Sequence, residues 1–241
     1  MNKDETGDSM REHPGRAGAI VALSWSAMEV RPMSEAVARK RMTPEEFYAW
    51  QREQDQNYEL VDGMPVLPAK AMTGASRRHD IITVNILSLL RERLRGKPCR
   101  PHTDHMSVRN PNGNLRRPDV IVDCKGGPER SMETGEPRVL VEVLSPSTMA
   151  FDRFRKVEEY KANDRVRVVL LVASESAEVI VWRRTGDGAT GWRSEIVEGL
   201  AAIIALPEIG CTLSLEEIYE DTGVTNLPGG ASGEKSGGMA D

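Results

Sequence analysis

Several things are missing from this 241-residue chain, and each absence removes a class of protein. No apolar run approaches the roughly 20 residues that a membrane-crossing helix needs. The three cysteines, Cys99, Cys124 and Cys211, are scattered and odd in number, with no CxxC pair among them. That pattern suggests neither a disulfide framework nor a zinc ribbon, and it fits a reducing cytoplasm. There is no GxGxxG or Walker A loop to cradle a nucleotide, no G-x-S-x-G elbow for a serine hydrolase, and no internal repeat. Aromatic residues make up only 5% of the chain.

What remains has the composition of a globular protein, with 39% hydrophobic and 29% charged residues. The net charge of −5 does not advertise a nucleic-acid binder. A local basic window does exist: Arg77, Arg78, Arg91, Arg93, Arg95, Lys97, Arg100, Arg109, Arg116 and Arg117, against only Asp80, Glu92 and Asp104. Such a window suits phosphate contacts, but a solvated helix face followed by a loop explains it equally well.

Residues 1–40 mix Gly, Pro, Arg and Glu without period, and residues 226–241 are rich in Gly and Ser; both are expected to be disordered. The stretch from Ala17 to Met28 resembles a signal h-region only faintly, because Ser24, Trp25 and Ser26 interrupt it. Organised sequence starts just after Met33, a candidate translation start. One domain is expected over residues 41–225.

Within it, Thr43-Pro44-Glu45-Glu46 spells a capping box. Asp62-Gly63 between two short apolar segments predicts a type I′ hairpin. A helix is expected from about Ser76 to Arg95, with Ile82, Ile86 and Leu89 on one stripe. Short strands follow at Met106–Arg109 and Asp119–Asp123, and Val139–Leu144 reads as a central strand covered on both faces. A helix over Phe151–Ala162, a strand over Val166–Val172, and a hairpin of Val179–Trp182 with Trp192–Val197 come next. Ser214 and Glu217 spell a second capping box. The pattern is that of an α/β protein, a mixed β-sheet core flanked by helices.

Glu142 stands inside the aliphatic run Val139-Leu140-Val141-Glu142-Val143-Leu144. An ionised carboxylate there costs several kcal/mol unless it is paired or binds a cation. The alternatives are a buried ion pair with an arginine, or an edge strand whose Glu meets water. Asp119 shifts the balance, because it opens the preceding strand directly after Pro118. If the two strands form a hairpin over the Gly- and Pro-rich loop Lys125–Pro137, both acids converge on one cation. Mg²⁺ takes one or two carboxylates and keeps several waters, as phosphodiester hydrolysis requires. Asp123 shares the Asp119 face, but at the far end of the strand.

Lys156 lies between Asp152 and Tyr160 at helical spacing and is the candidate cation, an exposed Asp–Lys pair being the simpler reading. His79, on the inward stripe of the long helix, and Glu59, between Tyr58 and Leu60, complete the candidate catalytic residues. A lone histidine so placed is more often structural. Cys99, His102 and His105 have a C-x2-H-x2-H spacing, but no fourth zinc ligand is evident. Ser145 and Ser147 read better as a turn and helix cap than as nucleophiles.

At these residues the chain resembles the Uma-two family of restriction-endonuclease-like proteins, a branch of the PD-(D/E)XK nuclease superfamily. The matching text is Tyr58-Glu59-Leu60-Val61-Asp62-Gly63, then His79, Ile82 and Leu89, then Arg117-Pro118-Asp119-Val120. It continues with Glu142-Val143-Leu144-Ser145-Pro146-Ser147-Thr148 and with Asp152, Lys156 and Tyr160, so that the likeness spans about Met42 to Tyr219. The resemblance implies a restriction-endonuclease-like core, with Mg²⁺ or Mn²⁺ held by Asp119 and Glu142. The expectation is therefore a cytoplasmic enzyme, a candidate homodimer, that cleaves nucleic acid, DNA rather than RNA. The superfamily usually has a lysine two residues after the second acid. Leu144 occupies that place here, which makes Lys156 the substitute. The stretch Val168–Ala173 also lacks the aromatic residues and terminal aspartate common in relatives. The rival functions are a silent nucleic-acid- or protein-binding module on the same fold, and a hydrolase of another phosphoester.

Overall fold

The computed structural model describes residues 41–68, 76–144, 150–185 and 191–225, and leaves out the side chains of residues 150–153. The disorder expected of residues 1–40 and 226–241, the Met33 start, the turn at residues 145–148 and the Asp152 side chain therefore lie outside the described residues.

Helix α1 (Pro44–Gln51) begins as its sequence dictates. Glu46 N–H donates to Thr43 Oγ1 at 3.2 Å, and Thr43 N–H donates to the Glu46 carboxylate at 2.9 Å. Strands β1 (Glu59–Val61) and β2 (Met64–Val66) join through Asp62 at φ 51° and Gly63 at φ 78°, the left-handed pair that a type I′ turn needs. A Cβ at residue 63 would also sit 2.9 Å from Arg41 Cβ. Helix α2 (Arg77–Arg93) starts at Ser76, whose hydroxyl accepts the His79 N–H, and it buries His79, Ile82, Ile86 and Leu90.

The next strands are β3 (Arg100–Thr103), β4 (Val108–Arg109), β5 (Leu115–Arg116), β6 (Val120–Asp123) and β7 (Pro137–Leu144). Helix α3 (Ala150–Ala162) leads to β8 (Val168–Ala173), β9 (Glu178–Arg184) and β10 (Trp192–Glu198). A hairpin, β11 (Ile203–Leu206) with β12 (Cys211–Ser214), precedes the one-turn helix α4 (Leu215–Ile218). The large sheet runs β10-β9-β8-β7-β6-β3, and a small sheet runs β2-β1-β5-β4. Strands β7 and β8 are parallel, so the chain must cross over the sheet between them, and α3 makes that crossing.

Strand β7 is covered on both faces, which explains its nearly continuous aliphatic sequence. Val139, Val141 and Val143 share one cluster with Ile82, Ile86 and Leu90 of α2. Leu140 shares the other with Ile121, Val169, Val157 and Tyr160. Truncating a buried leucine of this kind costs about 2–5 kcal/mol.

Four expectations need correcting. Strand β3 was not foreseen, because Pro98 and Pro101 argue against regular structure; Pro101 is tolerated because β3 is an edge of the sheet. Its pairing with β6 places Arg100 opposite Asp123, so the residues one step beyond, Cys99 and Cys124, meet and form a disulfide. That bond removes the C-x2-H-x2-H zinc reading and the cysteine argument for a reducing compartment. At α4, Ser214 makes no side-chain cap, and the Glu217 carboxylate that would complete the box pairs with Arg93. Finally, the basic window is not one open surface. Arg116 and Arg117 are buried, Arg78 and Arg93 pair with Glu175 and Glu217, and Arg109 pairs with Glu45 and Glu133.

Candidate active site

The β6–β7 hairpin has the register that two converging acids need. Val120 pairs with Val141, and one further step places Asp119 alongside Glu142. Pro118 has no N–H to extend the ladder, and β6 begins just beyond it. The Asp119 carboxylate takes over instead: its Oδ2 accepts the Val143 N–H at 2.7 Å and lies 3.4 Å from Nε2 of His79. His79 reaches it from the first turn of α2, so a strand and a helix distant in the chain both meet this one oxygen.

Glu142 projects on the α3 face of the sheet, where its side chain keeps 14% exposure. Its Oε1 accepts the Tyr160 hydroxyl at 2.7 Å and lies 3.8 Å from Nζ of Lys156. Lys156 and Tyr160 stand one helical turn apart, so the crossover helix delivers a cation and a hydroxyl to the same carboxylate. Lys156 is buried rather than solvated, and its Nζ lies 3.0 Å from Oε1 of Glu59. Glu59, also buried, faces inward from β1. The five candidate residues therefore fall into two contact groups, Asp119 with His79, and Glu142 with Lys156 and Glu59, the Lys156 ammonium standing between the two glutamates.

Sequence reasoning missed what stands behind Glu59. Arg116 donates through Nη1 to Glu59 Oε2 at 2.9 Å and makes a bidentate pair with Glu159 at 2.7 and 3.0 Å. Asn114 donates to the same Glu159 at 2.8 Å, and the Arg117 N–H donates to Glu59 Oε1 at 3.0 Å. One available signal was the spacing of Glu159, three residues beyond Lys156 on the same helix. Arg116 carried none, since it reads as part of a surface charge run.

These pairings set the electrostatics. Burial pushes the Glu59 carboxyl up, but the charges of Lys156 and Arg116 and the Arg117 N–H outweigh it and hold its pKa below the usual carboxylate range. Burial raises the Tyr160 phenol, and the neighbouring Glu142 charge raises it further, so Tyr160 remains a hydrogen-bond donor. Burial works against the charge of Arg116, and Glu159 and Glu59 more than compensate. Among the described residues, no group of three or more His, Cys, Asp or Glu side chains gathers as a ready-made metal cage. Asp123 stands apart from the site. It accepts N–H groups of Lys125, Gly135 and Glu136 and so ties the hairpin loop at the opposite end of β6.

A mixed sheet flanked by helices, with paired acids at one end of a central hairpin, is the architecture of a restriction-endonuclease-like protein. The chain belongs to the Uma2 family, described as "putative restriction endonuclease", which matches residues 44–216. It is 33% identical over 150 residues to the uncharacterised protein slr1290 of Synechocystis sp., a match covering 61% of this chain and 77% of that one. Its fold is similar to the crystal structure of a "putative nuclease belonging to DUF820" from Anabaena variabilis, with TM-score 0.56 at 15% identity. That likeness covers 74% of this chain and 97% of the other. No helix among the described residues is long and apolar enough to cross a membrane.

Proposed function

We propose that residues 41–225 form a metal-dependent endonuclease that hydrolyses phosphodiester bonds, of DNA rather than RNA. The observation that supports this reading is that the register sets Asp119, just ahead of β6, alongside Glu142 of β7, while Lys156 of the crossover helix lies 3.8 Å from Glu142. Two carboxylates from adjoining strands, one partly open to solvent, make an all-oxygen donor set that fits Mg²⁺ or Mn²⁺, ions that complete their shells with water. Bound there, such an ion would acidify a water and neutralise charge on the phosphate.

The chain's own residues prepare the rest. The Val143 N–H and His79 fix Asp119, and Tyr160 fixes Glu142, so neither carboxylate has to reorganise when substrate arrives. Lys156, drawn toward Glu142 and steadied by Glu59, supplies the positive charge that stabilises the phosphorane-like oxygens or holds the attacking water. In this reading His79 and Glu59 are positioning residues, and Asp119, Glu142 and Lys156 act at the phosphate.

The test is cleavage of supercoiled plasmid with Mg²⁺ or Mn²⁺ by the wild type and by Asp119→Ala and Glu142→Ala. Metal-dependent nicking by the wild type, absent from both variants, is the expected result. Equal activity in all three would identify a contaminating nuclease. An inactive wild type that still shifts DNA would favour a binding module on this fold.

A further inference from the structure

The large sheet has two edges, and they differ. Strand β3 at one end is short, carries Pro101 and is tied to β6 by the Cys99–Cys124 bond. Strand β10 at the other end is longer, contains no proline, and pairs with β9 from Trp192 to Glu198 without a register shift. No described strand pairs with its outer side. A straight, regular edge of this kind is a template for another strand unless something protects or occupies it.

We propose that a second copy of this chain occupies it, the two β10 strands pairing antiparallel about a two-fold axis at Ser194. The pattern of side chains selects both the partner and the register. A two-fold axis normal to the sheet keeps every side chain on its own face and pairs residues symmetrically about the centre. Centring on Ser194 sets Arg193 of each copy opposite Glu195 of the other on one face, and Trp192 opposite Ile196 on the other face. Pairs of these types are the favourable cross-strand neighbours of antiparallel sheets. Centring on Arg193 or Glu195 instead sets like charges against each other, and centring on Ile196 brings no opposite charges together.

The local structure agrees. Ile196 is 59% exposed although it is a strand isoleucine, and Arg193, Ser194 and Glu195 are exposed with it. Trp192 is already held in place: its indole N–H donates to the Lys161 carbonyl at 3.2 Å, and the Arg184 guanidinium lies over its ring at 4.7 Å. It therefore gives up little freedom on pairing. Glu195 lies 4.0 Å from Arg183 on the neighbouring strand, which orients its carboxylate along the sheet face while half its side chain stays exposed. The charges that suit self-pairing also discriminate against unrelated strands.

The experiment is sedimentation of the full-length chain at micromolar concentration, with circular dichroism to verify folding. The wild type should run at twice the 26.7 kDa chain mass. Arg193→Glu and Glu195→Lys should each weaken self-association about ten-fold or more, since each sets like charges face to face twice. An equimolar mixture of the two variants should restore the dimer as a heterodimer, and Ile196→Lys should abolish it. A monomeric wild type overturns the proposal, as do charge variants that dimerise normally or a folded mixture that stays monomeric. A monomer whose β10 amides resist hydrogen exchange overturns it too, because another segment of the same chain would then cover the edge.

Discussion

An aspartate stands at either end of β6, Asp119 just ahead of its first residue and Asp123 as its last. Asp119 and Asp123 are similarly buried, at 5% and 3% exposure. Their partners separate them. Asp123 accepts backbone N–H groups from its own hairpin loop, a closed local arrangement whose product is a shape. Asp119 is held by a strand and a helix distant in sequence, next to a second acid with a lysine beside it. A buried carboxylate is thus identified less by burial than by whether its contacts are local backbone or converging side chains.

The contrast breaks if both aspartates respond alike to substitution. Asp119→Asn should lower plasmid cleavage about 10²-fold or more, the scale of losing one preorganised electrostatic group, with little change in thermal midpoint. Asp123→Ala should do the reverse. Leaving its loop amides unpaired costs about 1–3 kcal/mol, which lowers the midpoint by roughly 2–12 °C, while cleavage per folded molecule stays near wild type. Thermal melting and single-turnover cleavage on the same preparations decide the matter.

Two smaller effects sharpen the picture of the Asp119 end. Tyr160→Phe should reduce cleavage about ten-fold by freeing the Glu142 carboxylate, within the 10–100-fold range of residues that orient metal ligands. A raised metal requirement would mark that role, whereas a purely structural tyrosine would change stability alone. The smallest effect is acid sensitivity. Because the folded-state pKa of Glu59 is held down, its contribution to stability is complete above the ordinary value near 4.5 and is lost as pH falls through the lowered one. Lys156→Met removes the larger of the two opposing charges, so acid unfolding should begin at a higher pH. Denaturant titrations between neutral pH and about pH 3 would show it.

Much of this arrangement was legible from local signals. Asp62-Gly63, the Thr43 capping box and the helical stripe of α2 announce themselves by residue type and spacing, because their determinants lie within a few residues. The β6–β7 hairpin was legible too, since a Pro-Asp opening, a polar loop and an aliphatic run can pair in few ways. Strand β3 was hidden because its prolines are tolerated only at an edge, and edge status belongs to the whole sheet. The Cys99–Cys124 bond was hidden with it. Arg116 was hidden for a different reason: nothing local distinguishes a buried, doubly paired arginine from the solvated ones around it. Asp119, Glu142, Glu59 and Lys156 could be named from sequence, while Arg116 and Glu159 behind them needed the fold.

Glu59 comes from the small sheet, whereas Lys156 and Glu142 come from the crossover helix and the large one. The ammonium is therefore steadied by an element that can loosen before the main core melts, since β1 is only three residues long and its ladder with β5 has a single register pair, Leu60 with Leu115, beside the Arg116–Glu59 contact. Warming should then silence the protein while its bulk secondary structure still registers as intact, and cooling should revive it. The heat tolerance of its chemistry would be that of its weakest seam.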